Sequence, residues 1–154
     1  MTSALKWMSA LTLVLGIALP AFAADERGTA PEAKALVERG VAHIKEVGKE
    51  KAFADFTAGG KWSDRDLYIF VYDFKGTNLA FGNKPQMVGK DLSELKDGNG
   101  KPLIKDLIEI AKTKGSGWYD YVFSDPISKK MLPKSSYVVK VPGSDALIGA
   151  GIYK

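Results

Sequence analysis

Between Asp66 and Gly82 the chain reads DLYIFVYDFKGTNLAFG, and this stretch limits the fold more than any other. Tyr68, Phe70, Tyr72 and Phe74 take every second position, with Leu67, Ile69 and Val71 between them. A period of two belongs to a β-strand, whose successive side chains point to opposite faces. One face is therefore aliphatic, and the other is aromatic and carries hydroxyls. The DFKGTN segment is a turn signal, so the stretch is predicted to form a β-hairpin. The aliphatic face needs an apolar cover, whereas the aromatic face must meet something partly polar.

A cover for the aliphatic face precedes the hairpin. Across Ala30–Phe56, the residues Ala33, Leu36, Val37, Val41, Ile44, Val47, Phe53 and Phe56 recur at spacings of three and four, with Lys, Glu and Arg between them. This is an amphipathic helix. Thr29 is its predicted N-cap, followed by Pro31 and Glu32 in the first turn, and Gly48 marks a break. After the hairpin, residues 83–102 read as a long loop. Leu103, Leu107, Ile108 and Ala111 then restore helical spacing, with Gly115 as the stop. Three strands follow: GWYDYVF, SSYVVKV and ALIGAGIY. The order helix, two strands, helix, three strands predicts an α+β domain with an antiparallel sheet backed by helices.

The first residues are of another kind. Lys6 precedes the apolar run MSALTLVLGIALP, and AFAAD presents small residues at Ala21 and Ala23. These are the parts of a secretory signal peptide, expected over residues 1–23. A membrane anchor would need about 20 continuous apolar residues, and Pro20 interrupts this run. The expected mature part, residues 24–154, suits one domain able to bury a core and located in the periplasm or secreted. The chain has no cysteine, which excludes disulfides and thiolate metal sites and fits an oxidising compartment. Its 22 basic and 18 acidic residues give a formal charge of +4. They are interleaved rather than blocked, so no nucleic-acid partner is expected.

Catalytic groupings find little support. His43 is the only histidine and falls within the amphipathic helix, with no second metal-ligating partner in sight. DGNGK (Asp97–Lys101) begins like a calcium loop, but Lys101 and Ile108 stand where oxygen ligands are needed. It reads as a turn. No G-x-S-x-G elbow accompanies the serines, and the carboxylates of SDRD and KDLSEL lie in polar boundaries. GAG (Gly149–Gly151) lies within a strand rather than at a phosphate-binding turn. Neither a cofactor, a metal nor an enzymatic activity is expected.

The remaining constellation is aromatic and cationic. Tyr119, Tyr121 and Phe123 share one face of GWYDYVF, and Lys134 and Ser136 alternate with Ser135 and Tyr137. Gly149, Gly151 and Tyr153 share a side of the last strand. Rings beside glycines are expected to leave a cavity. A lysine and a tyrosine hydroxyl within it would hold a carboxylate or an amide.

The ordered set DRDLYIFVYDFKGTNLAFG, PQMVGKDL, DGNGKPLIKDLIEIAK, GWYDYVF, KSSYVVKV and IGAGIYK resembles the single Cache domains of bacterial extracytoplasmic sensors, of the small-Cache type 2 branch. The resemblance covers nearly all of the expected mature chain. It implies a long N-terminal helix on a PAS-like antiparallel sheet, and a pocket for small polar molecules, often short carboxylates or amides. It assigns the pocket tyrosine to Tyr121 and the pocket lysine to Lys134, with Tyr68 and Trp118 at the rim. Phe81 stands where family members often carry histidine, which implies a less polar pocket. In receptors of the family a transmembrane helix follows the last strand, whereas here the sequence stops at Lys154. The expectation is a non-catalytic sensor domain whose ligand is enclosed by Tyr68, Phe70, Phe81 and Trp118 and held by Tyr121 and Lys134. Its signal would pass through a membrane receptor or kinase partner. The alternative is an accessory module that forms a homodimer or docks through its helix or aromatic face.

Overall fold

The computed structural model describes residues 27–82 and 84–154. The expected signal peptide lies outside the described residues. Helix α1 runs Ala30–Val47 and α2 runs Lys49–Ala58, broken at Gly48 with φ of 86°. The Thr29 side chain accepts from the Glu32 backbone N–H, and Glu32 accepts in return from the Thr29 backbone N–H at 2.8 Å. This reciprocal capping box satisfies donors that the helix leaves free. Thr29→Ala is expected to lower stability by about 1 kcal/mol, read as a reduced urea midpoint at unchanged slope.

A short two-stranded ribbon follows, β1 (Ser63–Asp64) with β2 (Leu67–Tyr68), and then β3 (Phe70–Asp73) and β4 (Asn78–Phe81). The predicted single strand is thus interrupted at Ile69, and its two parts serve different sheets. Side-chain alternation persists across the break. Helix α3 (Leu103–Lys114) and strands β5 (Ser116–Ser124), β6 (Met131–Lys140) and β7 (Ala146–Tyr153) complete the chain. The main sheet is antiparallel with strand order β4-β3-β7-β6-β5.

The two faces of this sheet hold two separate cores. Ile69, Val71, Ile148 and Ala150 face α1, where they meet Ala33, Leu36, Val37 and Ile44. Gly40 lets the helix approach, since a Cβ there would lie 2.6 Å from Ile148 Cδ1. On the opposite face Tyr68, Phe70, Tyr72 and Tyr121 are buried with Leu103, Ile104 and Leu107 of α3. The long helix therefore covers the aliphatic face as the pattern requires, and α3 is the lid of the aromatic face.

Candidate functional site

Strand register brings the aromatic and cationic residues into rows. Tyr121, Lys134 and Tyr153 are direct cross-strand neighbours on β5, β6 and β7. The next row is Tyr119, Ser136 and Gly151, and a third places Val138 and Gly149 beside Phe70 and Phe81. Antiparallel neighbours on one face are close enough to touch, so residues as far apart in sequence as Phe70 and Tyr153 form one surface.

Lys134 is the centre of this surface. Its side chain is among the largest fully buried ones, with 1% exposure. Nζ donates to Tyr68 Oη at 2.7 Å. It also lies 4.3, 4.7 and 5.7 Å from the ring centroids of Tyr68, Tyr153 and Phe123. The rings offer the ammonium the negative faces of their π systems. Among the described residues, no carboxylate lies within salt-bridge distance of it. Burial is the largest influence on its charge and lowers its pKa from 10.5 to about 7; Asp66 and Asp125 favour the charged form, and Lys84 opposes it.

The surrounding hydroxyls remain protonated. Tyr121 Oη and Ser136 Oγ share a hydrogen bond at 2.9 Å. Desolvation holds the Tyr121 and Tyr68 pKa values well above the usual phenol range. Tyr153 is also raised by burial, to about 12, and its hydroxyl donates to Ser124 O at 2.6 Å. Tyr119 donates to Asp106 and so ties β5 to α3. The site can thus offer hydroxyl donors and one ammonium, arranged in an apolar wall.

The glycines act differently from expectation. The space above them is filled rather than left as a cavity. A Cβ at Gly149 would lie 2.5 Å from Phe70 Cζ, and one at Gly151 would lie 2.8 Å from Lys134 Cε. These glycines are seats for the phenyl ring and the lysine stem. The cavity between Tyr68, Phe70, Tyr72, Phe81, Tyr121 and α3 has a volume of about 10 Å³, the size needed for one water. An organic ligand therefore requires the walls to move.

Five of the six residues singled out from sequence are brought together here: Tyr68, Phe70, Phe81, Tyr121 and Lys134. Phe81 stacks on Tyr68 at 5.1 Å. Trp118 is not brought to the site. Strand parity turns it to the other face, where it is 40% exposed and packs 5.3 Å from Tyr137. The expected ligand-binding set did not include Tyr72, Phe123 and Tyr153, although the same parity that selected Phe70 and Tyr121 places them on these faces. It also omitted Leu103, Ile104 and Leu107, because helical spacing alone does not say which sheet face a helix covers.

The rejected groupings have structural work. His43 Nε2 pairs with Asp55 at 2.8 Å, and its ring packs 4.8 Å from Trp62. Asp97 accepts backbone N–H groups from Asn99, Lys101 and Val122, so DGNGK is a turn docked on β5.

Comparison with known proteins agrees with this architecture. A family profile described as Cache domain matches residues 34–154. The sensor histidine kinase MctS of Rhizobium johnstonii is 32% identical over 89 residues, covering 58% of this chain and 19% of that protein. The methyl-accepting chemotaxis protein CtpM of Pseudomonas aeruginosa is 35% identical over 89 residues, 57% of this chain and 16% of that one. The chain thus spans less than a fifth of the length of these curated relatives. A crystal structure of a methyl-accepting chemotaxis protein from Vibrio parahaemolyticus superposes with a TM-score of 0.70 at 30% identity, covering 80% of this chain and 86% of that one. Together with the helix-backed antiparallel sheet, the match from α1 to β7 shows that this chain belongs to the Cache domain family.

Proposed function

We propose that the chain is a non-catalytic extracytoplasmic sensor domain, binding a short organic carboxylate at Lys134 and signalling through a membrane receptor or kinase. The observation carrying this reading is a fully buried amine with no carboxylate at ion-pair distance among the described residues. Burying an ammonium without a counter-ion is costly. An incoming carboxylate supplies the missing charge and replaces Tyr68 Oη as acceptor, and the Tyr68 and Tyr121 hydroxyls can then donate to it. Phe70, Phe81 and the leucines of α3 face the ligand's apolar part. Kinship with kinase and chemotaxis sensors supports the signalling role. Among the described residues no helix is long and apolar enough to cross a membrane. The aromatic face is covered by α3, which leaves it poorly suited to docking a protein.

The test is a thermal-shift screen with acetate, propionate, lactate and succinate beside their neutral amides. A ligand that binds only the folded state raises the melting temperature. Carboxylates are expected to do so and amides to do so less. Because the ammonium form binds the anion and Lys134 loses its proton near pH 7, affinity is expected to fall above that pH, approaching tenfold per pH unit. A response equal for acids and amides, with no pH dependence, would remove Lys134 from the proposed role.

A further inference from the structure

Lys134 shares the ring of Tyr153 with a second cation. Arg27 Cζ lies 5.6 Å from the Tyr153 centroid, beside Lys134 Nζ at 4.7 Å. Arg27 belongs to the segment just before α1, and it grips the β5–β6 turn. Its Nη1 and Nη2 donate to the two carboxylate oxygens of Asp125 at 2.7 and 2.9 Å. Such a two-pronged pair is both strong and directional. Asp125 is fully buried and also accepts the Ser128 and Ile127 backbone N–H groups. The Arg27 guanidinium, helped by these backbone donors and opposed by burial, holds its carboxyl well below the usual range.

A second buried carboxylate closes the group. Asp66, in the turn between β1 and β2, accepts the Gly28 backbone N–H at 2.6 Å and lies 3.5 Å from Arg27 Nη1. Its other oxygen, Oδ2, is buried without a hydrogen-bond partner among the described residues. Arg65 Nη1 donates to Arg27 O at 2.8 Å and fixes the same segment. Around Tyr153 there are thus two cations and two carboxylates. Arg27 has direct contact with both carboxylates, and Lys134 feels them from farther away.

This arrangement gives the segment before α1 a hold on the ligand site, on the reading that Lys134 binds the ligand. We propose that Arg27 is a positioning residue for that site: clamped on Asp125 and packed on Tyr153, it joins the docking of the segment before α1 to the placement and charge of Lys134. Coupling of this kind is reciprocal. Whatever displaces Arg27 alters how Lys134 takes an anion, and an anion on Lys134 alters how firmly Arg27 is held. Tyr153 transmits the effect physically, because its ring touches both cations and its hydroxyl is bonded to Ser124, next to Asp125.

The charges facing Lys134 from each packed element are Asp66 from the β1–β2 turn, Asp125 from the β5–β6 turn and Lys84 after β4. The phenols of Tyr68, Tyr121 and Tyr153 complete its surroundings. Arg27 neutralises the two carboxylates. Removing it exposes Lys134 to their full field, whereas removing one carboxylate weakens that field. The two changes therefore act on Lys134 with opposite sign, although both break the same ion pair.

The experiment is an NMR titration of lysine side chains labelled at Cε and Nζ, with the Lys134 signal assigned by its loss in Lys134→Met. Arg27→Ala is expected to raise the Lys134 midpoint, Asp125→Asn to lower it, and Arg27→Lys to restore most of the wild-type value. A merely structural clamp would move both disrupted variants in one direction or leave Lys134 untouched, and either result overturns the proposal. No ligand is needed, so the outcome is separate from the carboxylate screen. Opposite shifts with no carboxylate response would leave the coupling standing and sink the ligand assignment, and the reverse pattern would do the converse.

Discussion

Lys134→Met is expected to make the domain more stable while removing its response to carboxylates. Methionine is unbranched and adaptable, so it can follow the course of the lysine stem. It fills the seat above Gly151 without bringing a charge into the aromatic wall. The sign of the pH dependence follows from the depressed pKa. Between about 7 and 10.5 the unfolded chain holds a proton that the folded lysine has released. Stability linked to this group is therefore complete above 10.5 and is lost as pH falls through about 7. The methionine variant has no such loss. Its advantage should be about 1–4 kcal/mol below pH 7 and should fade toward pH 10, as followed by denaturant midpoints across pH. Carboxylate binding should weaken by about 1.5–3 kcal/mol, the contribution of a hydrogen bond to a charged group. A destabilised variant that still binds carboxylates would contradict both parts.

Gly151→Ala is expected to do the reverse, losing stability and ligand together. The added methyl meets Ser136 Oγ, and it would lie 2.8 Å from both Lys134 Cε and the backbone oxygen of Ser135. The Ser135 contact is to backbone in a paired strand, which cannot retreat without disturbing β6 and β7. Overpacking of this kind costs about 1–3 kcal/mol. It also lifts the lysine stem from the sheet and misplaces Nζ relative to Tyr68. Ser136→Gly in the same chain removes one clash and should recover part of the stability, a coupling read by a double-mutant cycle. Full additivity of the two changes would mean that Ser136 does not crowd the seat above Gly151.

Much of this was legible in the sequence because two periodicities were clean. Alternation from Leu67 to Phe74 separated an aliphatic from an aromatic face, and the i, i+3, i+4 pattern of α1 identified the cover for the first. Thr29, Gly48 and Gly115 marked helix ends through local chemistry, and local chemistry needs no tertiary context. Trp118 failed for a reason the same logic contains. It is one residue out of phase with Tyr119 and Tyr121, so it could not share their face. The role of the glycines was missed because sequence shows an absent side chain but not which neighbour takes its space. Arg27 and Asp125 are 98 positions apart, lie outside the regular elements and carry no periodic signal. Only the fold brings them to Tyr153. The closed state of the cavity depends likewise on how α3 settles over the rings, which the spacing of Leu103 and Leu107 does not specify.

Calorimetry of carboxylate binding at pH 8, in two buffers of different ionisation heat, reads whether the ligand's charge is met by Lys134. At that pH the amine, with its pKa near 7, is largely neutral, and binding an anion to its ammonium form requires a proton from the buffer. The wild-type protein is predicted to take up close to one proton per ligand bound, and Lys134→Met none. Binding with no proton uptake in the wild type, or equal uptake in both proteins, would place the carboxylate elsewhere.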